Sequence, residues 1–187
     1  RDLHSFPTRR SSDLSLSDTD SLSAVTTTDI DRRLFGKLLE LSDITDIGAY
    51  YAAARDARVS YEGMTDIEIL YSDFKEYEIE GVKVGIGSVF AGKVAGVEDM
   101  CARMRALMPA AREQRGLDML FLMIGDRDAD VTHLPFCGEG AKQVAEYGFH
   151  TTATPDDCIV TKYLSIRKVE VVPPITEGIK QWKSGQQ

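Results

Sequence analysis

The chain has 187 residues, 43% of them hydrophobic, enough to bury one full-sized core or two small ones but too few for a large multidomain enzyme. Its 30 Asp and Glu exceed its 22 Lys and Arg, and the net charge of −8 argues against nucleic acid as the main partner, because phosphate backbones are held by clustered cations. The longest apolar stretch, residues 119–124, falls far short of a bilayer span, and three scattered cysteines, Cys101, Cys137 and Cys158, suit a reducing cytoplasm better than a disulfide framework.

Residues 1–14, RDLHSFPTRRSSDL, carry neither an apolar period nor a capping pattern, and they closely resemble translated sequencing-adapter DNA. They are expected to be disordered and foreign to the fold, so His4 is not taken as a metal ligand. Thr26-Thr27-Thr28-Asp29 then precedes Leu34, Phe35, Leu38, Leu39 and Leu41, a spacing that predicts a helix capped by Thr28. A shorter helix is predicted over residues 47–55. Phe74–Ile79 and Val82–Phe90 predict a hairpin around Glu80-Gly81, with Val82, Val84, Ile86, Ser88 and Phe90 alternating onto one face. Met100, Met104, Leu107, Met108 and Ala111 fall at helical spacing and predict a core-facing stripe. The near-continuous apolar run 117–124 predicts a strand buried on both faces and ending at Gly125-Asp126. A helix over 139–147, a strand over 158–165, a second apolar β run over 169–172 and a helix after Pro173-Pro174 complete the chain. Helices and strands alternate, which implies an α/β fold with a mixed sheet flanked by helices.

Several motifs imitate known chemistry and fail on a required residue. The run from Gly87 to Lys93 copies a phosphate-binding P-loop, but Val94 stands where a hydroxyl should hold magnesium, so a glycine loop at a strand end is preferred. Gly85 and Gly87 begin a dinucleotide fingerprint that Phe90 breaks. Asp126, Asp128 and Asp130 resemble the start of a calcium loop, yet Val131 and Cys137 occupy the positions that need glycine and a bidentate acid. His133 and Cys137 are separated by Pro135, which would break a helix aligning them on zinc. Two segments carry more signal. In Ser17-Asp18-Thr19-Asp20, Asp18 offers carboxylate oxygens suited to a hard divalent cation, or a turn-forming side chain. In Ser165–Pro174, adjacent Arg167 and Lys168 interrupt an otherwise buried-looking β segment, as a phosphate clamp or as a charge pair on an edge strand.

In this order, Ser17-Asp18-Thr19, residues 24–29 and Arg167-Lys168 followed by Val171-Val172-Pro173 resemble the manganese-dependent inorganic pyrophosphatases of the DHH phosphoesterase superfamily. Residues 69–77 and 120–126 resemble the same family at matching distances. The resemblance implies residues 15–28 as a remnant of an N-terminal catalytic DHH domain, 29–46 as a linker helix and 47–183 as a C-terminal, substrate-clamping DHH-associated domain. It implies hydrolysis of pyrophosphate to two phosphates by the parent protein, with Arg167 and Lys168 as substrate-binding cations, Asp18 as a metal ligand and no catalytic residue in this fragment alone. The cofactor implied is Mn²⁺, or Mg²⁺ or Co²⁺, held mainly by a missing N-terminal domain. The partner implied is pyrophosphate or a related phosphoanhydride, with neither nucleic acid nor membrane, in a protein expected to be cytoplasmic and open to homodimerisation. The sequence departs from the family pattern at Gly63 and Met64, where a phosphate-binding Lys is expected nearby, and at Ile166, Val169 and Glu170, which replace Ser, Lys and Gln. These departures keep two alternatives open: a non-catalytic anion- or nucleotide-binding regulatory module, or a polyphosphatase of the same superfamily.

Overall fold

Thr28 and Asp31 cap each other reciprocally. The Thr28 backbone N–H and hydroxyl donate to Asp31 Oδ2 at 2.8 and 2.7 Å, and the Asp31 N–H donates back to Thr28 Oγ1 at 3.3 Å. Helix α1 (Asp29–Glu40) follows, as its spacing predicts. The computed structural model describes residues 27–40, 45, 46, 49, 61–91 and 96–185, which fall into two units divided between residues 60 and 61. Residues 1–14, Asp18 and, apart from Ala49, the helix expected over 47–55 lie outside the described residues.

The second unit is a five-stranded mixed sheet between two helical layers. A further capping box, Thr65 with Glu68 at 2.7 and 2.8 Å, starts the short helix α2 (Asp66–Tyr71), which the apolar spacing did not predict. Strands β1 (Phe74–Ile79) and β2 (Val82–Phe90) form the expected hairpin, closed by the Ile79–Val82 pair. Its turn residues Glu80 and Gly81 both have positive φ, 51° and 75°, the conformation that matches the twist of tightly linked strands. Helix α3 (Val97–Gln114) crosses over to β3 (Met119–Asp126), which lies parallel to β2. Then come β4 (Val131–Gly138), α4 (Ala141–Phe149), β5 (Cys158–Val160) and α5 (Val172–Ser184). Strand order equals chain order, and every pair except β2–β3 is antiparallel.

Alternation along the strands divides the core. Val82, Val84, Ile86, Met119, Phe121, Met123, Leu134 and Phe136 meet Val144, Ala145, Ile175 and Ile179 of α4 and α5 on one face. On the other, Val89, Leu120, Leu122 and Ile124 meet Ile69 and Leu70 of α2 and the Met100, Met104, Met108 and Ala111 stripe of α3. Arg103 ties these two helices together, its Nε donating to Asp66 Oδ2 at 3.1 Å. Strand β3 is buried on both faces, as its apolar run implies.

Two expected strands are not formed as predicted. The strand over 158–165 stops at Val160, because Thr161 and Ser165 are captured by Thr132: the Thr132 N–H donates to Thr161 Oγ1 and the Ser165 N–H to Thr132 Oγ1, at 2.9 and 2.8 Å. The apolar run 169–172, and with it the edge-strand reading of Arg167-Lys168, is instead a π-helical turn (Arg167–Val171) running into α5. Pro173 and Pro174 lie in the first turn of α5, where a missing N–H has no helical partner to lose. Glu170 accepts the Ile166 N–H at 2.6 Å, and only Val171 of the turn is buried, so one-sided helical burial replaces the strand.

Candidate functional site

Strands β2 and β3 end side by side, and the carboxyl end of a parallel pair is where open α/β sheets receive ligands. Because β1 is antiparallel to β2, with Phe74 opposite Gly87, Asp73 is brought to this end, and its carbonyl accepts the Ser88 N–H at 2.9 Å. Phe90 carries the Arg127 guanidinium at 4.0 Å from its ring centre, and its N–H donates to the Tyr61 hydroxyl at 3.0 Å. Burial pushes the Tyr61 phenol above its ordinary pKa, partly offset by that N–H and by the nearby Arg127. The Tyr61 O–H therefore stays protonated at neutral pH.

Arg167 reaches this end from the π-helical turn. Its Nη1 donates to the carbonyls of Asp73 at 2.7 Å and Ile86 at 3.2 Å, and its Nη2 donates to Asp73 Oδ1 at 2.6 Å. The side chain is only 11% exposed. A guanidinium has five N–H donors, so Nε–H and one Nη2 hydrogen have no partner among the described residues. The turn is itself held at both ends, by Thr132 on Ser165 and by Glu170 on Ile166. Lys168, the other sequence-predicted cation, is exposed and makes no ion pair among the described residues. The arrangement combines one rigid, planar cation with one mobile point charge, a pairing suited to phosphoryl oxygens.

The remaining motifs resolve differently. Lys93 and the loop 92–95 lie outside the described residues. Gly87 sits within β2, and a Cβ there would lie 2.6 Å from Leu122 Cδ1 and 3.1 Å from the Leu70 carbonyl oxygen. Gly85 is similarly closed by Phe74 and Leu117, so both glycines make room for packing side chains rather than for a phosphate. Asp126 turns its Oδ1 onto the N–H groups of Asp128 and Ala129 at 3.0 and 3.1 Å, closing the loop on itself. His133 and Cys137 lie on strand β4, four residues and roughly 14 Å apart by strand rise, which separates them as zinc ligands. Among the described residues no three His, Cys, Asp or Glu side chains form a group that could hold a metal ion, so the described residues do not fit the implied cation. Asp18 lies outside them. Sequence reasoning assigned no role to Asp73: it stands 94 positions from Arg167, and nothing in either segment signals the pairing.

The model of a family described as the DHHA2 domain matches residues 54–177. The manganese-dependent inorganic pyrophosphatase of Methanothrix thermoacetophila is 30% identical over 167 residues, covering 89% of this chain and 53% of the relative. The cobalt-dependent inorganic pyrophosphatase of Clostridium perfringens is 30% identical over 164 residues, covering 88% of this chain and 29% of the relative. The chain thus spans about half the length of the first relative and less than a third of the second. A crystal structure of a candidate family II inorganic pyrophosphatase from Methanococcus jannaschii has the same fold, with a TM-score of 0.80 at 23% identity over 96% of this chain and 58% of that one. No helix among the described residues is long and apolar enough to cross a membrane.

Proposed function

The chain belongs to the DHHA2 domain family, and from that premise we propose that it is the substrate-clamping part of a metal-dependent inorganic pyrophosphatase. In this reading Arg167 and Lys168 bind the phosphoryl oxygens of pyrophosphate and offset charge that an acidic protein would otherwise repel. The observation that carries it is the fixed Arg167 guanidinium at the carboxyl end of β2 and β3, nearly nine-tenths buried with two N–H groups unpartnered. Buried donors without partners are costly, and an anion would satisfy both at once. The sequence of Ser165–Pro174 and the pyrophosphatase activity for which these relatives are named point to the same substrate class.

The chemical step belongs in this proposal to a DHH half joined to this one, with Mn²⁺, Mg²⁺ or Co²⁺ as its cofactor and Asp18 as one ligand. The contribution of the present domain is to bind, to orient and to neutralise. A cytoplasmic setting, with neither nucleic acid nor membrane as partner and open to homodimerisation, forms part of the same proposal. Titration calorimetry of the 187-residue chain with pyrophosphate tests the clamp directly. Replacing both Arg167 and Lys168 by Ala is expected to weaken binding by about a hundredfold, since hydrogen bonds to charged groups contribute about 1.5–3 kcal/mol each. Undiminished affinity in a folded double variant overturns the assignment.

A further inference from the structure

A clamp arginine on an otherwise flexible side chain must be held in one orientation if it is to recognise a planar pair of oxygens, because ordering it at the moment of binding opposes affinity. Here Asp73 is the group that holds it. Resting on the clamp reading above, we infer that Asp73 is a positioning residue that fixes Arg167 so that its Nε/Nη2 edge, and no other, faces a phosphoryl group.

The five N–H donors of the guanidinium show which edge is free. Asp73 takes the end-on edge of the guanidinium with two different atoms, its backbone oxygen from Nη1 and its carboxylate Oδ1 from Nη2, at 2.7 and 2.6 Å. The Ile86 carbonyl takes the remaining Nη1 hydrogen at 3.2 Å. What is left is Nε–H and one Nη2–H, which lie parallel on the side-on edge, the fork that binds two oxygens of one carboxylate or phosphate. The two carbonyls belong to backbone that the fold fixes: Asp73 O also accepts the Ser88 N–H, and Ile86 lies inside the sheet. The carboxylate contact is the one that a side-chain substitution can remove. Without it, the guanidinium keeps its Nη1 anchor but can rotate about it.

This role differs from that of a simple counter-ion. A carboxylate whose effect on the ligand were only its charge would repel pyrophosphate, and removing that charge would tighten binding. A carboxylate that acts by placement leaves affinity nearly intact when Asn supplies the same acceptor, and lowers it when Ala supplies none.

The test uses the whole 187-residue chain, labelled with ¹⁵N, and follows the Arg167 Nε–H resonance, assigned by its loss in Arg167→Lys, while pyrophosphate is added. The wild-type resonance is expected to shift saturably. Asp73→Asn should bind within about threefold of wild type, whereas Asp73→Ala should weaken binding about tenfold, the scale of one charge-assisted hydrogen bond. In the Arg167→Lys background, Asp73→Ala should change affinity less than twofold, because the placement it disrupts is already gone. Should Asp73→Ala fail to fold by circular dichroism, Asp73→Ser, whose shorter hydroxyl cannot reach the same point, carries the same expectation. Wild-type affinity in folded Asp73→Ala, together with lost affinity in Arg167→Lys, overturns the positioning role and leaves the clamp standing. Asn as weak as Ala overturns it also. A wild-type chain whose Arg167 resonance does not respond, or an Arg167→Lys chain that binds as tightly as wild type, overturns the clamp and the inference together.

Discussion

Gly178 separates local helix preference from tertiary packing by the sign of a single effect. It lies inside α5, facing α4, and a Cβ built on it would stand 2.2 Å from the Val144 carbonyl oxygen and 2.9 Å from the carbonyl carbon. Helix propensity alone favours Gly178→Ala by about 0.8–1.0 kcal/mol, since glycine loses more backbone freedom on folding. Packing opposes it. An ordinary carbon–oxygen contact is near 3.4 Å, so the two helices must separate by on the order of 1 Å, and the obstacle is backbone rather than a movable side-chain tip. Val144, Ala145, Ile175 and Ile179 are all fully buried around this crossing, and a gap of that size forfeits a quarter to a half of each affected contact. Overpacking of this kind costs about 3 kcal/mol, and after the propensity gain the net loss is about 2 kcal/mol. With a urea m-value of about 1.5–2 kcal/mol/M, the unfolding midpoint should fall by about 1 M at an unchanged slope. Gly185→Ala is the control: its Cβ would meet nothing nearer than 3.6 Å, and the midpoint should stay within about 0.3 M. An unchanged or raised midpoint in Gly178→Ala would refute the close helix crossing.

Two further outcomes follow from the same structure. Gly87→Ala should lower stability by about 1–2 kcal/mol in urea unfolding while pyrophosphate affinity of the folded chain is unchanged, because its Cβ would press on Leu122 and the Leu70 carbonyl; a stable variant with lost affinity would restore the P-loop reading. Burial pushes the Cys101 and Cys137 thiols up to about 11 and Cys158 to about 12, against 9.0 for an unperturbed thiol. Unfolding therefore releases protons above about pH 9: the contribution is complete below the unfolded value and is lost as pH rises towards the folded values. Urea midpoints should fall between pH 8.5 and 10.5, and less steeply in a triple Cys→Ala variant; identical slopes would show that the thiols are not the cause.

Much of the fold is written in local pattern. Thr28 capping α1, Glu80-Gly81 closing the hairpin, the Met stripe of α3 and the apolar run of β3 are each decided within a few residues, by capping bonds, turn conformation and side-chain periodicity. The family resemblance, too, was legible in short segments whose order matches. Where a segment is apolar without a clear period, locality fails. Residues 169–172 read as a β run from apolar content alone, but the burial of Val171 against the sheet, the Glu170–Ile166 bond and two prolines in the first turn of α5 make them helical. The strand expected over 158–165 was shortened by Thr132, a residue on another strand, whose N–H donates to the Thr161 hydroxyl and whose own hydroxyl accepts the Ser165 N–H. Gly85 and Gly87 look in one dimension like ligand-binding glycines; only the approach of Phe74, Leu117, Leu122 and α2 shows them to be packing positions. The candidate site depends most on distance along the chain. The sequence displays Arg167 and Lys168 as cations in an acidic protein, but the partner that orients Arg167 enters from Asp73, across a hairpin register and a parallel strand pair that no local pattern encodes. Side-chain chemistry is a property of each residue and can be read from the sequence, whereas the direction in which a guanidinium presents its free edge is set by which backbone oxygens the fold brings beside it.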